Sequence, residues 1–135
     1  NSHGMELTEH FVNQNFKGLC FVNLVDFDMM FGHRNDIMGY SKALSDFDSW
    51  LGGFIKLMKD DDILIITADH GCDPATESTD HSREYVPLLV YGEKIKNVNL
   101  GTRQTFSDIG KTVCDIFHVQ NNLSGESFKD KIFKE

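Results

Sequence analysis

An aspartate and a histidine stand side by side at Asp69-His70-Gly71, straight after the apolar run 63–68, and His81 follows Asp80 in the polar stretch beyond. A second set, Asp28 and His33, comes after another apolar run, 19–25, with Phe31-Gly32 between the two to turn the chain. Carboxylate oxygen and imidazole nitrogen together, without thiolates and without an all-oxygen set, suit Mn²⁺, Zn²⁺ or Fe. Successive residues at a strand end point to opposite sides, so Asp69 and His70 can face different ions rather than chelate one. That favours a two-metal site, whose ions, roughly 3.5–4 Å apart, clamp phosphoryl oxygens. A single Asp-His pair in a loop is commonly a surface accident, and a lone histidine such as His33 is commonly solvated. The weight lies in the combination of two acid/histidine sets behind two apolar runs, with a third histidine in a long loop.

Other residues divide between chemistry and packing. Arg34 and Arg83 could hold a phosphate through the planar guanidinium fork, or could orient Asp26, Asp36 or Glu84. Cys72 could lie near a metal or be a free packing cysteine. His3, His10 and His118 belong to no constellation and read as ordinary surface or terminal residues. Tyr40, Phe47 and Phe54 form an aromatic stripe that reads as core.

The elements that must position these residues follow from periodicity. Residues 5 to about 16 read as a helix with Leu7, Phe11 and Val12 on one side. Residues 19–25, apolar and rich in β-formers, read as a buried strand delivering Asp26 and Asp28 at its end. Residues 29–39 read as a loop. From 40 to 58, Tyr40, Leu44, Phe47, Leu51, Phe54, Ile55 and Met58 recur at helical spacing. Gly52-Gly53 inside that helix costs about 1 kcal/mol per glycine and predicts close packing or a kink. Residues 63–68 read as the second buried strand, 69–84 as a long polar loop of the functional kind, and 86–91 as a third strand. Thr105 with Asp108 reads as the start of a helix whose apolar face holds Ile109, Val113, Ile116 and Phe117. The tail from Gln120 reads as polar and mobile. Strands alternating with helices predict an α/β fold with a parallel sheet covered on both faces, and ligands then bind beyond the carboxyl ends of the strands.

Composition narrows the classes. The 135 residues suit one domain, and 40% hydrophobic with 25% charged residues suits a soluble globular chain. The net charge of −8 argues against a nucleic-acid surface; it fits a cation site, and equally a solvated acidic surface. No apolar run reaches the roughly 20 residues that span a membrane, and the first residues lack the order of a signal peptide. Cys20, Cys72 and Cys114 are odd in number and form no CxxC pair, so a reducing cytoplasm is the simplest expectation.

Three stretches closely resemble one family. They are Asn23-Leu24-Val25-Asp26-Phe27-Asp28-Met29-Met30-Phe31-Gly32-His33-Arg34, Thr67-Ala68-Asp69-His70-Gly71, and Thr79-Asp80-His81-Ser82-Arg83-Glu84-Tyr85-Val86-Pro87-Leu88-Leu89. They are similar to the bacterial-type phosphopentomutases of the alkaline phosphatase superfamily. Arg103-Gln104-Thr105-Phe106-Ser107-Asp108-Ile109-Gly110 is similar to that family's final helix, so the likeness runs from about 16 to 119. It implies an alkaline-phosphatase-like core with a parallel sheet, of which residues 1–135 would be the C-terminal part with flanking helices. The family's N-terminal core segment, with the nucleophilic threonine and a further aspartate ligand, and its sugar-binding cap domain have no counterpart in this sequence.

The resemblance also implies two Mn²⁺ ions, one on Asp28, His33 and His81 and the other on Asp69 and His70. The implied reaction interconverts ribose 1-phosphate and ribose 5-phosphate, and the deoxyribose pair, through a bisphosphate. The implied partners are therefore sugar phosphates, with no nucleic acid and no membrane. No threonine or serine here matches the nucleophile motif, so the isolated chain is expected to be inactive. An incomplete parallel sheet would expose an edge, which predicts self-association or pairing with the missing part. The competing enzyme readings are a cofactor-independent phosphoglycerate mutase or a phosphatase of the same superfamily. The five positions from Asp28 to His33 separate the first of these, in which one fewer is expected. A different class is a catalytically silent metal-binding module.

Overall fold

The computed structural model describes residues 1–134 and divides the chain into two compact units, Asn1–Lys59 with His70–Leu88, and Asp60–Asp69 with the residues from Leu89 onward.

In the first unit, helix α1 (Ser2–Val12) stops four residues short of the span read from its periodicity, with Asn13 as its C-cap. Helix α2 (Ile37–Phe54) begins three residues earlier than its apolar repeat implied. Asp36 explains this, because its carboxylate accepts from the Gly39 N–H at 2.9 Å and caps the first turn. Between the two helices the expected loop is helical in short pieces, a π-helical turn over Phe27–Phe31 and a 3-10 turn over Gly32–Arg34. The aromatic stripe packs as expected. Phe27 meets Tyr40 at 5.7 Å and Phe47 at 6.3 Å between ring centroids, and Trp50 stacks on Phe54, which is buried. The indole N–H of Trp50 donates to Glu9 at 2.7 Å, tying α2 to α1.

Two expectations for this unit fail. Residues 19–25 form no strand, and Leu19, Phe21, Val22 and Val25 are exposed. A strand exists through the ladder bonds of a neighbour, and among the described residues no segment supplies them to residues 19–24. Gly52 and Gly53 neither pack tightly nor break the helix; a side chain at either would meet open space.

In the second unit, β1 (Leu64–Thr67) and the last residues of β2 (Leu88–Tyr91) form a two-stranded antiparallel sheet. Gly92, just past β2, abuts Asp62, just before β1. No parallel pair occurs among the described residues. A parallel pair needs a crossover connection, and the segment after β1 instead doubles back on itself through an antiparallel bridge between Gly71 and Ser82.

Helix α3 (Ser107–Ile116) starts one residue past the predicted position, with Phe106 rather than Thr105 as its N-cap, although the Thr105 hydroxyl accepts from the Ser107 N–H at 3.2 Å; the Asp108 carboxylate bonds Arg103 and the Glu126 N–H instead of closing a cap. The helix ends in a Schellman motif, with Val119 N–H on Cys114 O at 2.8 Å, His118 N–H on Asp115 O at 3.4 Å, and His118 at φ 55°.

The tail expected to be mobile is instead the best-buried part of this unit. Phe128, just before α4 (Lys129–Ile132), and Ile132, its last residue, are essentially inaccessible. Thr112 Oγ1 donates to Asp108 O at 2.7 Å and accepts from the Phe128 N–H at 3.0 Å. Buried Asp108 accepts from Arg103 at 2.7 Å and from the Glu126 N–H at 2.8 Å. The guanidinium of Arg103 lies over the Phe128 ring at 5.7 Å.

Candidate metal centre

The π-helical turn carries Asp28, and the 3-10 turn that follows carries His33. A single π turn of this kind recurs at functional sites. Gly32 joins the two turns and is buried; a Cβ there would strike Cys72 Sγ and come within 3.1 Å of Phe27 O. Glycine thus lets the turn that carries Asp28 and His33 lie directly against the loop that follows Asp69-His70. On the loop side Gly71 makes the matching concession. A Cβ there would strike Ser82 O and meet Glu84 Oε2 at 2.5 Å. The loop is closed by Ser82 N–H on Gly71 O at 3.2 Å and Asp73 N–H on Ser82 Oγ at 2.8 Å. His81 is carried in by this closure.

Asp28, His33 and His81 converge, each offering one ligand atom, all within 4.8 Å of one another. His33 Nε2 is 3.4 Å from Asp28 Oδ2, and His81 Nε2 is 3.4 Å from Asp28 Oδ1. A charge-assisted hydrogen bond closes to about 2.7–2.9 Å; both separations are longer. Each imidazole faces its own oxygen of the Asp28 carboxylate, at a separation that leaves the nitrogen lone pairs and the carboxylate turned toward a shared space. Asp28 Oδ1 is buried and has no hydrogen-bond partner. An orphaned buried carboxylate oxygen is costly, and a cation between the two imidazoles removes that cost. The donor set therefore fits a divalent metal.

The surroundings point the same way. Burial pushes the Cys72 thiol up, and the charges of Asp28, Glu84 and Asp73 push it further. The Tyr40 phenol is raised by burial first and then by Cys72, Asp28 and Asp73. Carboxylates dominate this corner of the unit, and their field favours a cation.

His70 reaches the cluster by stacking on His81, with ring centroids 3.6 Å apart, while His33 lies 4.9 Å from His81. Its Nδ1 is 3.0 Å from Gly71 O. Asp69, two residues past β1, belongs to the second unit. Of the arginines weighed for phosphate, Arg34 donates from Nε to Met29 O at 3.4 Å and Arg83 is exposed. Cys72 sits against Gly32 beside Asp28. His10 packs edge-on to Phe11 on α1.

Residues missed in the sequence complete the surroundings. His33 Nδ1 is 2.5 Å from Thr79 O, and Asn35 donates from Nδ2 to Thr76 O at 2.5 Å and Ser78 O at 3.2 Å. The one signal that could have found Asn35 is its type, since asparagine right after a turn tolerates the left-handed backbone it adopts here.

Residues 1–121 match the family model described as the Metalloenzyme superfamily, and the chain belongs to that superfamily. Its curated relatives point to one enzyme. The chain is 58% identical over 136 residues to a phosphopentomutase of Lachnoclostridium phytofermentans, covering 100% of this chain and 35% of that protein. It is 57% identical over 133 residues to a phosphopentomutase of Acetivibrio thermocellus, covering 98% and 34% respectively. A phosphopentomutase of Clostridium acetobutylicum is 56% identical over 135 residues, covering 99% and 35%. The chain thus spans about a third of the length of these relatives.

Proposed function

We propose that this chain is the metal-binding part of a phosphopentomutase, which interconverts ribose 1-phosphate and ribose 5-phosphate and the corresponding deoxyribose phosphates. The observation that carries the reading is the convergence of Asp28, His33 and His81 around a buried, unpartnered carboxylate oxygen, in a chain more than half identical to phosphopentomutases along its whole length. The five positions from Asp28 to His33 favour this enzyme over a phosphoglycerate mutase of the same superfamily.

Asp28, His33 and His81 would hold one Mn²⁺, and Asp69 with His70 a second; the second pair rests on the family likeness. When bound, the ions supply positive charge for the phosphoryl oxygens and for the group that attacks phosphorus. The chain's own part is to hold Asp28 between two imidazoles and to keep the loop with His81 closed. Sugar phosphates are the substrate class, and the cytoplasm the setting that three unpaired cysteines suit. Among the described residues, no helix is long and apolar enough to cross a membrane.

The parallel sheet of an alkaline-phosphatase-like core is likewise a proposal, in which residues 19–25, mostly exposed, become a strand once a neighbour supplies ladder bonds. Their exposure also supports self-association, which light scattering would register as a mass above the monomer; a stable monomer at high concentration contradicts it. The activity is tested in the whole protein that carries this segment. With Mn²⁺ it should convert ribose 1-phosphate to ribose 5-phosphate, and Asp28→Ala should abolish the conversion. Unimpaired turnover by the Asp28→Ala protein overturns the reading, whereas the chain by itself is expected to show none.

A further inference from the structure

We propose that Asn35 is a positioning residue that fixes His33 in the tautomer needed to bind metal, acting through the backbone of residues 76–79; the proposal rests on the metal reading above. The ligands come from two stretches far apart in sequence, Asp28 with His33 and, beyond position 70, His81. One side chain ties these stretches together. The Asn35 carboxamide has two N–H donors, and Nδ2 contacts both Thr76 O at 2.5 Å and Ser78 O at 3.2 Å, bonds that cross 41 and 43 positions. These carbonyls lie just before Thr79, whose own carbonyl meets His33 Nδ1 at 2.5 Å.

A carbonyl can only accept, so Nδ1 of His33 carries the hydrogen and the Nε2 lone pair is left facing Asp28, 3.4 Å away. Partners of this kind, bonded to the far nitrogen of a ligating histidine, fix tautomer and ring orientation, and losing one weakens metal binding about 10- to 100-fold. The same clamp bears on the second imidazole, because His81 follows Thr79 by two residues.

The backbone of Asn35 supports the assignment. It sits at φ 51° and ψ 32°, its N–H bonding Gly32 O at 3.1 Å to close the 3-10 turn. Few residues adopt this left-handed conformation readily, and asparagine is one. The turn therefore needs a residue of this type, and the bonds to residues 76–78 need a side-chain donor. Asparagine meets both demands; glycine meets only the first, and aspartate meets the first while placing a carboxylate against two carbonyl oxygens.

The test compares Asn35→Gly and Asn35→Asp with the unaltered chain by two measurements. Calorimetric titration with Mn²⁺ alone should show an affinity about 10- to 100-fold weaker in both variants. Nitrogen-15 NMR of the histidine rings, recorded without metal, should show His33 as the Nδ1–H form in the unaltered chain and a shift toward the Nε2–H form in both variants. Affinity within threefold of the unaltered chain overturns the proposal. So does weakened affinity with the His33 tautomer retained, since Asn35 would then serve the fold alone, and so does an effect confined to the aspartate variant, which would trace to its charge. If the unaltered chain binds no Mn²⁺, the metal reading fails, and the tautomer comparison by itself decides whether Asn35 positions His33.

Discussion

Asp28 Oδ1 is buried, and the nearest imidazole nitrogen, His81 Nε2, stands 3.4 Å from it without completing a hydrogen bond. In the absence of a cation this arrangement costs stability, because the carboxylate oxygen has left water and gained no partner. Asp28→Asn should therefore leave the metal-free chain as stable as before or slightly more so, within about 0.5 kcal/mol, by urea denaturation. A loss of several kcal/mol would mean that Asp28 holds the fold together rather than waiting for a ligand.

The contact of Gly32 with Cys72 predicts a paired steric effect. Gly32→Ala places a methyl group against Cys72 Sγ and near Phe27 O, and should cost about 1–3 kcal/mol. Cys72→Ala removes the sulfur, so the double variant should recover much of that loss, as read from a double-mutant cycle in urea. Additive losses would show that the strain lies with Phe27 O instead.

Acid should act on the second unit through Asp108. Burial pushes this carboxyl up, but the Glu126 N–H and Arg103 outweigh it and hold it below the ordinary carboxylate range. A lowered folded-state pKa contributes stability that is complete above the unfolded value, near 3.8, and lost as pH falls through the folded value. Asp108→Ala removes the acceptor that Arg103 and the Glu126 N–H share, leaving Arg103 its contacts with Glu126, and should cost about 3 kcal/mol at neutral pH. The difference between the variant and the unaltered chain should shrink below about pH 4. A difference that stays constant down to pH 2 would contradict the assignment.

His118 holds a conformation that favours glycine. At φ 55° in the Schellman motif that ends α3, a non-glycine residue is strained by about 1 kcal/mol. His118→Gly should stabilise the chain by roughly 0.5–1 kcal/mol in urea denaturation. A destabilising result would show that the imidazole makes a contact worth more than the strain.

The chemistry was more legible in the sequence than the sheet. The convergence of Asp28, His33 and His81 is legible because residue types able to ligate a metal stand out in a sequence, and the turns that carry them follow apolar runs. The helices α2 and α3 announced themselves through their apolar repeats, and Asp36, the cap that moves the start of α2, is a residue type known for that role. Residues 19–25 misled because an apolar run states only that a segment is fit to be a strand; the partner that makes it one is not in the run. The pairing of β1 with β2 was hidden for a related reason, since orientation depends on how the intervening loop folds back at Gly71 and Ser82. The tail reads as mobile because its polar start masks Phe128 and Ile132, which fill the core of their unit. Asn35 and the Thr79 carbonyl left no trace beyond residue type, because backbone acceptors have no sequence signature.

Metal binding between Asp28, His33 and His81 is tested most directly by a calorimetric titration of the chain with Mn²⁺, run beside the same titration of Asp28→Asn. Saturable binding is expected, weakened by the substitution about 100-fold or more, an order of effect set by losing a ligand outright rather than a residue behind it. Equal binding by both proteins would contradict this site, since the ion would then lie elsewhere than between Asp28, His33 and His81.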